Sequence, residues 1–210
     1  GDMESETRAE ILRNLPRDSA FLDVGANLGI FSVGIAHAMP GLIVHAIEPN
    51  PRTAALLRQS VAFNKIESRV RVHEVALSDR TEELMFYDNP QNAGDSRILG
   101  DRDEVPDASH LVKVPVRALD GFEDFLAKVK ADGRRVACMK MDIQGPEVLA
   151  LRGMRGFLKE HKPAIIVEAT DDSLCRFGFN EGDLRRELEA QGYTIERRQD
   201  CNLIAKPTRG

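Results

Sequence analysis

Residues 21–29 read FLDVGANLG, a short apolar run that leads into two glycines. Residues 20–24 predict a strand, and apolar residues at helical spacing follow the glycines up to Met39. Gly25 and Gly29 allow a tight turn with a bare surface, and the start of the following helix offers N–H groups to an anionic ligand. The stretch predicts a strand–turn–helix unit, although a turn that binds no ligand gives the same pattern.

Strand and helix patterns alternate through the rest of the chain, which favours a mostly parallel sheet covered on both faces. We predict one α/β domain over residues 1–210, doubly wound, with a covering helix within residues 1–18. The other predicted helices span 50–64, 119–130, 147–158 and 181–191. The other predicted strands span 42–47, 70–76, 83–87, 111–116, 136–143 and 164–169, followed by an edge hairpin of 193–196 and 202–206.

Composition narrows the class of protein. The chain has 210 residues, is 42% hydrophobic and carries a net charge of −5, without the basic stripe that nucleic-acid binding requires. Neither a membrane-spanning run nor a signal peptide is visible, so we expect a cytoplasmic protein without a membrane partner. Cys138, Cys175 and Cys201 are far apart and form no C-x-x-C pair, which favours free thiols.

Glu48 narrows the choice of ligand. It ends the second predicted strand 23 positions after Gly25, where an acid can bind a ribose hydroxyl. A dinucleotide motif would have glycine at Asn27 and Ile30, so a nicotinamide-linked oxidoreductase is the minority alternative. A ligand with an adenosine, a carboxylate and no phosphate fits better, which describes S-adenosylmethionine. Asp23 is a candidate for its amino group, or else caps the loop's own N–H groups.

Five blocks occur in order: FLDVGANLGIFS (21–32), IEPNP (47–51), VALSD (75–79), RALD (117–120) and MKMDIQGPEVLALRGM (139–154). Together they closely resemble the FkbM family of S-adenosylmethionine-dependent methyltransferases. The resemblance implies a Rossmann-like class I fold with a seven-stranded sheet, and methylation of hydroxyl groups on sugars or natural products. It further implies that the methionine end is lined by Asp23, Gly25, Asn27 and Gly29, that Glu48 binds the ribose, and that Ala76 and Leu77 flank the adenine.

The block at 139–147 supplies the candidates for the acceptor side. Methyl transfer to a hydroxyl requires an aligned oxygen and a base. Lys140, Asp142 and Gln144 fall on one side of an extended strand. Asp142 is the candidate for the base or for orienting the acceptor hydroxyl, and Lys140 either keeps Asp142 ionised or hydrogen-bonds the acceptor; an ion pair that only shapes the loop is the alternative. Glu147 is expected to cap the next helix, and Gln144 and Glu168 are expected to help bind the acceptor.

Three questions stay open at this stage. The family usually has Glu in place of Gln144. One alternative is therefore a cofactor-binding protein that no longer catalyses, and another is a metal-dependent enzyme that uses Asp142. Residues 88–110 form a long polar stretch that is either disordered or an acceptor loop, with Arg97 and Arg102 closing over a hydroxylated acceptor and His110 swinging toward it. The acceptor's identity and the oligomeric state are not predicted.

Overall fold

The computed structural model describes residues 3–104, 107–198 and 202–208. A seven-stranded sheet forms its centre. Its strands are β1 (Ala20–Val24), β2 (Ile43–Ile47), β3 (Val70–His73), β8 (Val136–Met141), β9 (Ala164–Glu168), β10 (Tyr193–Arg197) and β11 (Asn202–Pro207). They lie in the order β10-β11-β9-β8-β1-β2-β3. All neighbouring strands from β9 to β3 are parallel, while β11 is antiparallel to both β9 and β10. The predicted parallel sheet and its edge hairpin are confirmed.

Helices cover both faces of this sheet, and alternation along β1 shows why two cores form. Leu22 and Val24 point into one buried cluster, whereas Phe21 points into the other. The second cluster is covered by α1 (Met3–Arg13), α2 (Ile30–Ala38) and α3 (Pro51–Phe63). The first is covered by α4 (Glu123–Asp132), α5 (Glu147–Arg152), α6 (Arg155–His161), α7 (Asp171–Leu174) and α8 (Glu181–Ala190).

A second sheet of four strands was not predicted. Its order is β4-β7-β5-β6, from β4 (Ala76–Leu77), β5 (Glu82–Tyr87), β6 (Arg97–Ile98) and β7 (Leu111–Arg117). The predicted strand 70–76 was therefore too long, because β3 ends at His73 and the chain leaves the main sheet to pair β4 with β7. Ala76 and Leu77 consequently lie where the two sheets meet.

The described residues of the stretch 88–110, which are 88–104 and 107–110, contain regular secondary structure. β6 pairs with β5, and short 3-10 helices span Ala93–Asp95 and Ala108–His110. Arg97 is buried, and its guanidinium donates to the carboxylate of Asp103 at 3.0 Å. This ion pair holds the loop together, so Arg97 does not reach outward to an acceptor as predicted.

The predicted helix 147–158 is in fact two helices that meet at Gly153. A Cβ at this glycine would come within 1.9 Å of the carbonyl oxygen of Ser78, so only glycine allows this approach of two backbone segments. A residue distant in sequence caps the first amides of α6, since the Asp120 carboxylate accepts from the N–H of Gly156 at 2.7 Å and of Phe157 at 2.8 Å. Tertiary contacts, rather than helix propensity, set this break.

Two of the three cysteines can be placed. Cys138 is buried in β8 and Cys175 is exposed, and both are free thiols. Cys201 lies outside the described residues. In the described part of the chain, none of the helices combines the length and the apolar character that crossing a bilayer requires.

Candidate active site

The turn between β1 and α2 packs directly against the end of β8. Gly25 has φ +81°, and a Cβ there would lie 1.9 Å from the carbonyl oxygen of Asp142. Only glycine therefore brings this turn so close to the second strand end. Gly29, with φ +90°, precedes α2 and has no side chain to cap it, while Ser32 in the first turn of the helix binds Asp23 through its hydroxyl and its backbone N–H. Such a helix start favours a negatively charged group.

Glu48 follows β2 and is only 5% exposed. Its two oxygens accept one backbone N–H each, from Asn27 and from Asn50, both at 2.9 Å. Burial raises the pKa of Glu48 to about 7, although the two amides act in the opposite direction. The carboxylate therefore fixes the glycine turn relative to β2, and each oxygen retains a lone pair for a further donor.

One cavity of about 400 Å³ joins these elements at the carboxyl ends of the central strands. Such a position between parallel strands is where α/β sheets bind their ligands. Of the residues proposed from the sequence, the cavity is lined by Gly25, Asn27, Glu48, Ala76, Leu77, Lys140, Asp142 and Gln144. Strands that are distant in sequence thus bring the predicted cofactor and acceptor residues to one space.

Lys140 and Asp142 form a close pair on the cavity wall. The Lys140 ammonium lies 3.1 Å from Asp142 Oδ2 and 4.8 Å from the centre of the Phe31 ring. Burial would raise the pKa of Asp142, but the Lys140 charge and hydrogen bonds from neighbouring side chains outweigh it and hold this pKa below its ordinary value. Burial would lower the pKa of Lys140, yet the charges of Asp142 and Asp23 raise it. Asp142 is therefore ionised at neutral pH.

Asp23 lies deeper than the cavity wall. It is fully buried, and its Oδ2 accepts from Ser32 Oγ at 2.6 Å, while its Oδ1 has no hydrogen-bond partner among the described residues. Burial raises the pKa of Asp23, although the Lys140 charge opposes this effect. Asp23 does not cap the N–H groups of the glycine loop, and its proposed contact with a ligand amino group stays a prediction.

Three further residues proposed for the site do not line the cavity. Gly29 lies behind the wall, where a Cβ would meet the Leu57 side chain at 2.3 Å. Glu168 reaches the site indirectly, since its Oε2 accepts from Gln144 Nε2 at 2.7 Å. His110 is partly exposed and lies 3.7 Å from Asp107, so the structure does not bring it to the proposed acceptor side.

Glu147 lies beside the cavity at the start of α5, and its carboxylate binds its own backbone N–H, the first of that helix, as well as the loop before it. Its Oε1 accepts from the backbone N–H of Ile143 at 3.3 Å and of Gly145 at 3.1 Å, both in the loop before α5. Burial raises the pKa of Glu147 to about 7. Glu147 therefore fixes the shape of the loop that carries Gln144.

The stretch 88–110, given from the sequence as a possible acceptor loop, supplies part of the cavity wall, although its individual residues were not predicted. Asn92, Ala93, Gly94, Ser96 and Ile98 line it from the second sheet and its preceding turn. The side chain of Asn27 donates to the carbonyl of Ala93 at 3.1 Å and so joins this wall to the glycine turn. The only sequence signal was the polar run itself, which does not reveal its pairing partner.

Glu4 of α1 also lines the cavity, so the N-terminal helix reaches the site.

Across residues 3–104, 107–198 and 202–208, no group of three or more His, Cys, Asp or Glu side chains is arranged to hold a metal ion.

Comparison with known proteins shows the family of the chain. The model of the FkbM methyltransferase domain matches residues 23–195, which is most of the chain. The chain belongs to this family. An FkbM methyltransferase requires a methyl donor, and the cavity at the glycine turn is the candidate place for it.

Individual relatives are distant. Methyltransferase 1 of Beauveria bassiana is 26% identical over 196 residues, covering 86% of this chain and 74% of that protein. The 31-O-demethyl-FK506 methyltransferase FkbM of Streptomyces tacrolimicus is 38% identical over 74 residues, covering 34% of this chain and 27% of that protein. The crystal structure of methyltransferase FkbM from Methylobacillus flagellatus KT has the same fold, with a TM-score of 0.58 and 21% identity over 90% of this chain. The chain spans 44% of the length of that solved protein.

Proposed function

We propose that this chain is an S-adenosylmethionine-dependent O-methyltransferase that acts on a hydroxyl group of a small-molecule, sugar or natural-product acceptor. The observation that carries the proposal is a single cavity whose wall includes both Glu48 and the Lys140–Asp142 pair. Glu48, a buried acid after β2, suits the ribose of a nucleoside. Asp142, an ionised acid after β8, suits an acceptor hydroxyl that must lose its proton. The name of the Streptomyces tacrolimicus relative, which refers to an O-demethyl compound, supports oxygen as the acceptor atom.

The residues present fit the proposed cofactor. The Glu48 carboxylate has lone pairs left for ribose hydroxyls, and the start of α2, where Gly29 supplies no side-chain cap, suits a ligand carboxylate. Ala76 and Leu77 are buried apolar residues that suit a purine face. The cavity volume of about 400 Å³ lies in the range of small-molecule sites. When bound, S-adenosylmethionine supplies a methyl group on positively charged sulfur.

Asp142 supplies the base in this proposal. Its ionised carboxylate accepts a hydrogen bond from the acceptor hydroxyl, orients that oxygen and takes its proton. Lys140 stabilises the carboxylate form of Asp142 at 3.1 Å. A positioned general base typically contributes a factor of about 10² to 10⁴ to the rate.

Cofactor binding is tested by calorimetry with S-adenosylhomocysteine. We expect Glu48→Gln to weaken binding at least about tenfold, because an amide cannot accept from both backbone N–H groups and also from ribose. Glu67→Gln changes an exposed carboxylate and is the matched control. Absence of binding to the wild-type protein, or equal affinities for wild type and Glu48→Gln, contradicts the proposed cofactor. Thermal melting of each variant separates a binding loss from unfolding.

The reaction is tested with a radiolabelled methyl donor and a panel of hydroxylated sugars and polyketides. We expect Asp142→Asn to lower kcat about 10² to 10⁴-fold and to leave S-adenosylhomocysteine affinity within about threefold of wild type. Full turnover by Asp142→Asn contradicts its role as base. Tight cofactor binding by the wild type with no methylation of any acceptor in the panel counts against the hydroxyl-acceptor proposal.

A further inference from the structure

Gln144 is held in an unusual backbone conformation directly after Asp142. Its φ is +61°, in the left-handed region that costs a residue with a side chain about 1–2 kcal/mol. The next residue, Gly145, is pressed against the α7 region, where a Cβ would lie 2.7 Å from the carbonyl oxygen of Ser173. The Glu147 carboxylate also binds the amides of this loop. The loop is therefore fixed from two sides, and the strain at Gln144 persists because the surroundings hold it.

This backbone conformation places the amide of Gln144 between two carboxyl groups. Its Nε2 lies 2.8 Å from Asp142 Oδ1 and 2.7 Å from Glu168 Oε2. Its Oε1 accepts from Ser173 Oγ at 3.3 Å, and that hydroxyl accepts from Thr170 Oγ1 at 2.8 Å. The opposite orientation of the amide would turn its oxygen toward both carboxyl groups, so the side chain has one favourable orientation.

The cation at this site approaches only one of the two carboxyl groups within ion-pair distance. Lys140 Nζ lies 3.1 Å from Asp142 Oδ2, and the described residues show no ion pair to Glu168. Two ionised carboxylates on one neutral amide repel each other, which favours a proton on the group without the cation. Burial, followed by the negative charge of Asp142, raises the pKa of Glu168 to about 8.

We propose that Gln144 is a positioning residue whose amide joins Asp142 and Glu168 into one pair, in which Glu168 carries the proton and Asp142 is left ionised at the cavity. The assignment of Asp142 to the acceptor rests on the proposed function, whereas the joined pair does not. Gln144 thereby sets which carboxyl group is available as a base. Glu168 acts through Asp142 and does not bind the acceptor directly.

The pair can be tested without cofactor or acceptor. Carboxyl groups are followed by ¹³C NMR between pH 2 and 10 in protein labelled at the Asp and Glu side chains, with Asp142→Asn and Glu168→Gln used for assignment. The wild-type pair is expected to titrate in two well-separated steps. Charges that face the pair come from Asp23 on β1, Lys140 on β8 and Glu147 on α5, and they stay the same in every variant.

Gln144→Met keeps the size of the side chain and removes the amide. We expect the two titration steps to move closer by at least about one pH unit, a tenfold change in relative proton affinity, because the carboxyl groups are no longer held together. Gln59→Met, on the exposed face of α3, is the matched control and should leave the separation unchanged. An unchanged separation in a folded Gln144→Met protein overturns the proposal.

Glu168→Gln gives a second test that does not alter the Gln144 loop. An amide resembles a protonated carboxyl group, so Asp142 should titrate within about half a pH unit of its wild-type value. A fall of one unit or more means that Glu168 was ionised in the wild type, and this also overturns the proposal. S-adenosylhomocysteine calorimetry on the same samples reports on the proposed function separately, because the titration is interpretable whether or not the cofactor binds.

Discussion

The buried pair His45 and His73 should make stability strongly dependent on pH. His45 Nδ1 and His73 Nε2 are 3.2 Å apart, and both rings pack edge-on against Phe125. Burial, followed by nearby positive charges, lowers the pKa of His45 to about 4 and that of His73 to about 3, from an ordinary value of 6.5. Both rings are therefore neutral in the folded protein at pH 5.

The sign follows from the unfolded chain, which binds a proton to each histidine below pH 6.5. The stabilising contribution of neutral His73 is fully present above pH 6.5 and is lost as the pH falls toward about 3. At pH 5.0, which is about 1.5 pH units below the ordinary histidine pKa, protonation stabilises the unfolded state by about 2 kcal/mol per histidine.

The measurement compares wild type with His73→Gln by urea unfolding at pH 7.5 and pH 5.0. At pH 7.5 the variant is expected to be less stable, because it loses the ring contact with Phe125. At pH 5.0 this difference should shrink by about 2 kcal/mol, because the variant has one fewer histidine to protonate on unfolding. Glu48 and Glu147, whose pKa values are raised to about 7, act with the opposite sign in both proteins and cancel in the comparison.

His37→Gln, at an exposed histidine on α2, is the matched control. A difference between wild type and His73→Gln that stays constant between the two pH values, or grows at pH 5.0, refutes the assignment of neutral buried rings.

Three further changes test the architecture of the site. Gly25→Ala places a Cβ 1.9 Å from the Asp142 carbonyl oxygen and should cost more than about 2 kcal/mol in urea unfolding; wild-type stability would contradict the close packing. Lys140→Met leaves Asp142 without its cation, and we expect a loss of about 1–3 kcal/mol in the same assay, because the Asp142 side chain is 34% exposed; unchanged stability would contradict a contribution of the pair. Asp120→Ala removes the two-amide cap of α6 and should lower the free energy of unfolding by about 1–2 kcal/mol, measured by thermal melting; an unchanged melting temperature would show that water replaces the cap.

The sequence determined the glycine turn and the carboxylates at the strand ends, because these depend on local chemistry. Gly25 lies at a positive φ, a conformation that costs glycine little. Glu48 and Asp142 follow apolar strands, and parallel strands present their carboxyl ends at the same edge of a sheet. Alternation of strands and helices was enough to predict the doubly wound sheet.

Only the tertiary structure decided how the site is enclosed and how its acids are arranged. The pairing of β4 with β7 and the position of Asn92 and Ile98 on the cavity wall depend on contacts between segments distant in the chain. The sequence predicted that Gln144 lies on one side of a strand with Lys140 and Asp142. In the structure, its left-handed backbone and its contact with Ser173 place its amide between two carboxyl groups. Residue order predicts which groups reach the edge of the sheet, whereas hydrogen-bond partners depend on packing in three dimensions.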